Sequence, residues 1–380
     1  MKKVLLHILF IVGYIMLIAG FNGTLKFEKP ADYPQGLEYA KAEVVNVVEQ
    51  DMGEDPDYNY IRIGKQKLEL RIISGEYKGK IIETTNFVTR TTQLEGKAGT
   101  RYIVGSYDGF ITSNIMSYER SSLVVLLVIV FIAMVILFGK SKGVASVAAL
   151  IVTLLNVVFM FIPMLINGVP AILAAIIVVL LSTFYTMVAL NGFCMKSYIA
   201  TFCCTACTVF AGLLAWFVSL IWGVSTLNTP EIEDLLFVTE NSGFRIDNLL
   251  TAGILIASMG AVMDTCMSIV SSLFELKAQN PSMTTKQLLQ SGMNIGKDIM
   301  GTMTNTLILA FVGSSINLVL IYYMYCMPAI SLLNTDFIIV EIVKGIISSM
   351  AVVLSIPVAT FMTSYLIGKN SKFQSLLKTK

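Results

Sequence analysis

Two groups of residues in this chain have types and spacings that could do chemistry. In the first, Gly260, Asp264, Ser268, Ser271 and Glu275 recur at intervals of four, four, three and four, which puts them on one face of a helix. In the second, Asp298, Thr302 and Asn305 share a face at intervals of four and three, with Gly301 and Thr306 beside them. A carboxylate flanked by hydroxyl and amide oxygens can bind a cation, relay a proton or hold a polar solute. Asp264 stands ten residues from Phe274, the inner end of an apolar run, so about 15 Å from that end at ~1.5 Å per residue. An acid at that depth in hydrocarbon costs about 2.5–3.5 kcal/mol even on a lenient insertion scale, so it must face protein or water. It is therefore either a binding or proton-carrying group, or a protonated acid hydrogen-bonded to a neighbouring helix. Asp298 reads as the first turn of the next helix, where the helix dipole favours a negative charge, and that explanation stands level with ligand binding. Thr302, Thr304, Thr306 and Asn305 can supply neutral oxygen ligands or bond across helices.

The element that must position these groups is a helical hairpin. Ser258–Ala310 reads as one apolar helix, a polar turn and a second apolar helix running back. Asn280-Pro281 favours the turn, and Ser282 is placed to cap a short helix reaching Gln290. Beyond it, Gly313-Ser314-Ser315 with Asn317 marks either a break near mid-membrane or a small-residue packing surface.

Composition sets the class. Of 380 residues, 55% are hydrophobic and 14% charged, against about 25% charged in soluble domains, so the chain belongs in a bilayer. The net charge of +2 supports no nucleic-acid reading. Charges are concentrated between Asn22 and Arg120, which hold 13 Lys/Arg and 15 Asp/Glu, enough for a water-soluble domain. The six cysteines all fall outside it, so it has no disulfide framework, and the single histidine, His7, leaves no His-based catalytic or metal centre. Cys203 and Cys207 share a helix face, but Thr201, Thr205, Ala206 and Ala211 around them point to packing before metal or redox chemistry.

In chain order, Lys2 and Lys3 precede the apolar run Val4–Phe21, which lacks a following small-residue cleavage motif and reads as an uncleaved transmembrane anchor over 1–21. Residues 22–120 read as β, with strands expected over Ala42–Val48, Tyr58–Ile73, Lys78–Val88 and Arg101–Ile111, suiting a small barrel-like, OB-like domain. Seven further apolar runs follow across 121–368: Leu123–Phe138, Val144–Ile166, Val169–Leu190, Tyr198–Trp222, Leu249–Phe274, Ile299–Tyr325 and Ile338–Ile367. Residues 369–380 form a tail. The expectation is an all-α membrane bundle of eight spans carrying a small extracytoplasmic β domain. Lysines test it. With the N-terminus inside, the inner segments carry Lys2, Lys3, Lys140, Lys142, Lys196, Lys277, Lys286, Lys297 and the tail lysines, while the short outer loops carry Arg245 among acids such as Glu233, Asp234 and Asp336. That is the positive-inside pattern, with both termini cytoplasmic and the β domain outside. Glu341 and Lys344 form an expected i, i+3 pair, and Pro357 is expected to kink the last helix.

The run GAVMD at Gly260–Asp264, followed by MSIVSSLFE, NP, SGMNIGKDIMGTM and NTLILA, resembles the YibE/F-like family of bacterial membrane proteins, in several blocks of one order over some fifty residues. The resemblance implies a multi-pass protein of the bacterial cytoplasmic membrane, working beside a second family member; a homo-oligomer is the alternative partnership, which the resemblance does not decide. It implies no settled activity, no cofactor and no catalytic residues to carry over.

Three functions compete. The leading expectation is a transporter or permease for a small ion or solute, with Asp264 as the binding or coupling acid and Ser268, Asp298, Thr302 and Asn305 lining the route. The second is an envelope assembly or sensory protein acting through its outer β domain. An enzyme ranks last: no HExxH or GxSxG motif or nucleophile–base pair is present, and about ten residues of depth separate Asp264 from Asp298, against a shared-proton pair.

Overall fold

The alternation of apolar and polar residues after Glu38 builds a sheet. The computed structural model describes residues 36–229, 232–239 and 246–369; the expected anchor, Arg245 and the tail from 370 lie outside the described residues. Five antiparallel strands, β1 (Glu38–Glu54), β2 (Arg62–Ile72), β3 (Ile81–Val88), β4 (Arg101–Ser106) and β5 (Asn114–Tyr118), are ordered β3-β2-β1-β4-β5. In β3, Ile82, Thr84, Asn86 and Val88 point inward and their neighbours outward, the period of two that a half-buried strand requires. The long β1 pairs with both β2 and β4, and register shifts after Val44 and Val47 bend it. The sheet thereby curls around Ala42, Val44, Leu68, Leu70, Ile72, Tyr102 and Val104. The Thr84 hydroxyl donates to the Ser113 carbonyl at 2.6 Å, joining β3 to the entrance of β5. Three buried polar side chains hold the loop after β3 over the core: Gln66 accepts from the Gly96 amide at 2.8 Å, and Asn86 and Tyr102 both donate to the Leu94 carbonyl at 2.7 Å.

The expected strand Arg101–Ile111 stops at Ser106, and a fifth strand follows. Asp108 turns the chain there: its carboxylate accepts from the Ile111 and Thr112 amides at 3.0 Å and from the Thr112 hydroxyl at 2.7 Å. The strand expected from Tyr58 starts at Arg62, because Asp55 holds Asp57 and Tyr58 in a turn, accepting from their amides at 2.8 and 3.1 Å.

The helices are α1 (Ser121–Asn156), running through a π turn (Val157–Phe161) into α2 (Ile162–Ile166), then α3 (Ala171–Asn191), α4 (Met195–Trp222), α5 (Ile232–Thr239), α6 (Leu249–Gln279), α7 (Thr285–Ser314), α8 (Ile316–Met324), α9 (Ala329–Leu333) and α10 (Asp336–Lys369). Within α1, Lys140 adopts φ 48° and ψ −126°, outside the helical region, and a Cβ on Gly143 would stand 2.2 Å from the Val135 carbonyl oxygen. The backbone turns sharply there, and only glycine fits that approach. Of the described helical segments, five are long and apolar enough to cross a membrane when Ser121–Ile166 is taken as one, or six if α7 and α8, bent by 60° at Ser315, form one span. The seven runs expected after the β domain are thus five or six here. The first two merge across Lys140, and the sixth is two helices, so the Gly313–Ser315 stretch is a break. Pro357 lies inside α10, which is assigned as helix without interruption from Asp336 to Lys369, so no break accompanies the expected kink.

The chain divides into two compact units between Met134 and Val135, within α1. In the helical unit, α6 packs on α3, α4 and α10 around Cys203, Cys207, Val262, Cys266, Ile269 and Leu273. The cysteines act as small apolar residues in that core.

Acid should loosen the sheet. The Arg90 guanidinium, 2.5 Å from the buried Asp55 carboxylate, holds that acid below its ordinary 3.8, and Lys41 with Ser121 holds Glu119 at about 2 instead of 4.5. A depressed carboxylate pKa gives stability that is complete above the unfolded value and is lost as pH falls through the folded one. Hydrogen exchange of residues 38–118 in the intact protein should therefore accelerate as pH drops from about 4.5 toward 2, after correction for intrinsic exchange. Asp55→Asn should show faster exchange at pH 7 and a flatter acid dependence, and an unchanged acid dependence would refute the assignment.

Candidate functional site

The hairpin that carries both polar groups is built from its turn outward. Thr284 caps α7: its hydroxyl accepts from the Gln287 amide at 3.3 Å, while Gln287 Oε1 accepts from the Thr284 amide at 2.8 Å. One continuous helix therefore starts at Thr285, in place of the short Ser282-capped helix and separate start at Asp298 expected above. On the other side of the turn, Lys277 is 8% exposed, and its ammonium donates to the Pro281 and Met283 carbonyls at 2.9 and 2.7 Å. A cation at the end of α6 thus satisfies the carbonyls of the turn.

Asp298 is accordingly not in a first turn. It lies thirteen residues into α7, about 20 Å from the start at ~1.5 Å per residue, so the helix dipole does not account for it. Asp264 lies fifteen residues from the end of α6, about 22 Å on the same scale. The hairpin register is fixed by a contact: a Cβ on Gly292 would stand 3.1 Å from Leu273 Cδ1. Continuing that antiparallel register sets Asp264 at the height of Gly301, between Asp298 and Asn305. The two acids are therefore close in depth, which removes the ten-residue separation inferred from hydropathy.

α7 is held along α10. Cβ atoms on Gly292 and Gly296 would stand 2.6 Å from Thr360 Cγ2 and 2.1 Å from Ile356 Cγ2, and one on Gly368 would stand 2.1 Å from Thr285 Oγ1. Such close approach is what the small-xxx-small pattern Gly292/Gly296 allows. By the same register Asp264 falls near Ala351, the middle of α10.

Asp264 and Ser268 both lie exposed on the outward side of α6, with Gly253, Ala257 and Gly260. Asp298, Thr302 and Asn305 lie exposed on α7, with Lys297 and Gly301. The structure thus gathers each predicted group on one face and leaves both faces uncovered. Asp264 is exposed, which leaves the expectation that it face protein or water in place. The Thr302 hydroxyl donates to the Ile299 carbonyl at 2.9 Å; among the described residues no hydrogen bond or ion pair reaches the side chains of Asp264, Ser268, Asp298 or Asn305. Glu341 and Lys344 do pair, at 2.6 Å. A cavity of about 270 Å³ beside the bend at Ser315 is lined by Phe311, Val312, Ile338, Glu341 and Gly345 and contains none of the five predicted residues.

Gly253, Ala257 and Lys297 share these faces and were not among the expected residues, whereas Gly301 was expected beside Asp298. Gly253 and Ala257 carry a readable signal, since they continue the Gly260/Asp264 spacing outward. Lys297 carries none, because its height relative to Ser268 comes from the hairpin register.

A sequence profile of the YibE/F-like protein family matches residues 127–369, from α1 to the last residue of α10. The chain belongs to this family. No curated protein and no solved structure matches it. The matched region contains the whole α6–α7–α10 layer. Within it the SGMNIG block supplies the glycine contact with α10, the NP block supplies a carbonyl held by Lys277, and GAVMD ends on the exposed acid.

Two changes test this scaffold. Lys277→Met removes two charge-assisted bonds and should cost about 1–3 kcal/mol, seen as a lower Tm and faster proteolysis at 280–284; an unchanged Tm and cleavage rate would show that the turn holds without it. Gly296→Ala should cost about 1–3 kcal/mol by overpacking. Adding Ile356→Ala should recover part of that loss, and strict additivity of the two changes would argue against the contact.

Proposed function

We propose that this membrane protein is a permease for a small ion or polar solute. Asp264 is its binding or coupling acid, and Ser268, Asp298, Thr302 and Asn305 line the route. The observation that carries the reading is the pair of unpartnered carboxylates, Asp264 and Asp298, half-way along helices of 31 and 30 residues and close to one height. Ionisable groups at such depth mark ion and proton pathways by default. The 60° bend at Ser315 puts a helix break on the same element. The positive-inside lysines favour eight spans in the cytoplasmic membrane with both termini inside. The break at Lys140 supports counting Ser121–Ile166 twice, since 46 residues of helix would run about 69 Å, twice the hydrocarbon thickness. The curled sheet is then an OB-like module on the outer side, and no catalytic role is assigned to the acids.

A second reading, a non-transport assembly or sensory protein, is favoured by one feature of the sheet. Tyr39, Tyr107 and Ile111 are 61–76% exposed, and Tyr39 borders a cavity of about 260 Å³ with Glu38, Ser74 and Tyr77. Uptake into proteoliposomes over a panel of monovalent and divalent cations, protons and small polar solutes separates the two. The transport reading expects flux that falls at least about tenfold in Asp264→Asn, a loss of roughly 1.4 kcal/mol or more, and is kept by Asp336→Asn at the end of α10. Equal flux in Asp264→Asn removes Asp264 from the role, and absence of flux for the whole panel favours the second reading.

A further inference from the structure

The 60° bend at Ser315 leaves a gap beside it. Between α7, α8 and α10 lies the cavity of about 270 Å³, walled by Phe311, Val312, Leu318 and Val319 on one side and by Ile338 and Ile342 on the other. Gly345 deepens it, since the nearest heavy atom to a Cβ there is 3.5 Å away, on Phe311, and the place of a side chain stands open. Among the described residues Glu341 is the one charged group in the wall, and its carboxylate accepts from the Lys344 ammonium at 2.6 Å. A wall of hydrocarbon with its one charge paired gives a polar solute nothing to bind. An apolar cavity of about 150 Å³ already holds a benzene molecule, and one left empty forfeits the packing contacts of its lining.

The cavity opens sideways onto surface of the kind that lipid accepts. Ile308, Val312, Val319 and Ile346 line it and are also 39–52% exposed, and on α10 the exposed apolar surface runs on through Met350, Val353 and Phe361. The α10 wall reaches from Phe337, next to the start of the helix at Asp336, to Ile346. That is about 14 Å at ~1.5 Å per residue, half of a hydrocarbon core about 30 Å thick. One end of the cavity therefore lies where the helix leaves the hydrocarbon and lipid headgroups begin, and the other lies near mid-membrane. We propose that this cavity holds one acyl chain of a phospholipid from the surrounding bilayer, with its glycerol end at Phe337 and its methyl end beside Ile308 and Ile346. Three features select that occupant: the apolar wall, the mouth continuous with lipid-facing surface, and the depth of a chain that starts at a headgroup. Seated there, the chain fills the angle between α8 and α10 and props the bend at Ser315. The inference rests on the protein's place in a bilayer and stands apart from transport, since a protein without flux would hold the lipid equally well.

Photolabelling of the full chain in liposomes tests it. The probe is a phosphatidylcholine with a diazirine midway along one acyl chain, and labelled residues are read by peptide mass spectrometry. Labels should concentrate on 308–319 and 337–346, severalfold above the exposed Phe202, Leu213, Phe217 and Leu220 of α4. Gly345→Leu, which fills the cavity from its wall, should remove that excess and leave the α4 labels unchanged. Val312→Trp, at the mouth, should do so too, and serves alone if Gly345→Leu does not fold. Equal labelling of the two regions, or an excess that survives in the folded variants, reduces the contact to passing lipid and overturns the proposal. A free fatty acid carrying the same diazirine gives a second arm. Cavity labels from the fatty acid alone assign the site to a free hydrophobe. No cavity label from either probe gives it to another helix or to a partner protein. Each of these two results also overturns the proposal.

Discussion

α7 lies close along α10 through its glycines, and the other heights follow from that contact. Gly292 and Gly296 bring the α7 backbone onto Thr360 and Ile356, Thr285 meets Gly368 at one end, and Phe311 meets Gly345 near the other. Hydrogen bonding between helices contributes little here. Thr360, Thr363 and Ser364 are buried with hydroxyls that bond to no partner, and Thr360 meets Gly292 through its methyl group. The contact is one of shape, with two missing side chains on one helix accommodating branched ones on the other. Once α7 is fixed along α10, and Leu273 rests on Gly292, the hairpin has no freedom to slide, and Asp264 is set level with Gly301.

The interior of the unit is correspondingly built from small residues. Cys203, Cys204, Cys207, Ala211 and Cys266 fill the seam between α4 and α6, and Gly212 admits Leu255. Asn156 donates to the Ser182 hydroxyl at 2.8 Å, so an amide inside the apolar layer is paired within it. The carboxylates without a partner, Asp264 and Asp298, point outward on α6 and α7, the reverse of what a finished surface in lipid would show.

Much of the sheet was legible because period-two alternation survives in a short strand, as in β3. Its boundaries were not, because they are set by single carboxylates: Asp108 ends β4 by turning the chain, and Asp55 delays β2. In the membrane part, hydropathy located the apolar runs but misplaced the start of α7. A helix whose first fourteen residues include Lys286, Gln287, Gln290, Asn294, Lys297 and Asp298 has no apolar signature there, and the Thr284/Gln287 capping box that starts it is a four-residue signal among polar neighbours. That single boundary changed Asp298 from a helix-end charge to a mid-helix one.

By itself the sequence determined the class, the family, the soluble β segment and the two faces of the hairpin. These follow from composition, from the spacing of residues along one chain and from blocks in a fixed order. Only the tertiary structure decided the heights of Asp264 and Asp298 and the side to which each face turns. Those depend on which helix lies against which, and at what register. The Gly292 and Gly296 contacts settle that register through the shapes of Leu273, Thr360 and Ile356, residues about twenty and sixty-five positions away along the chain.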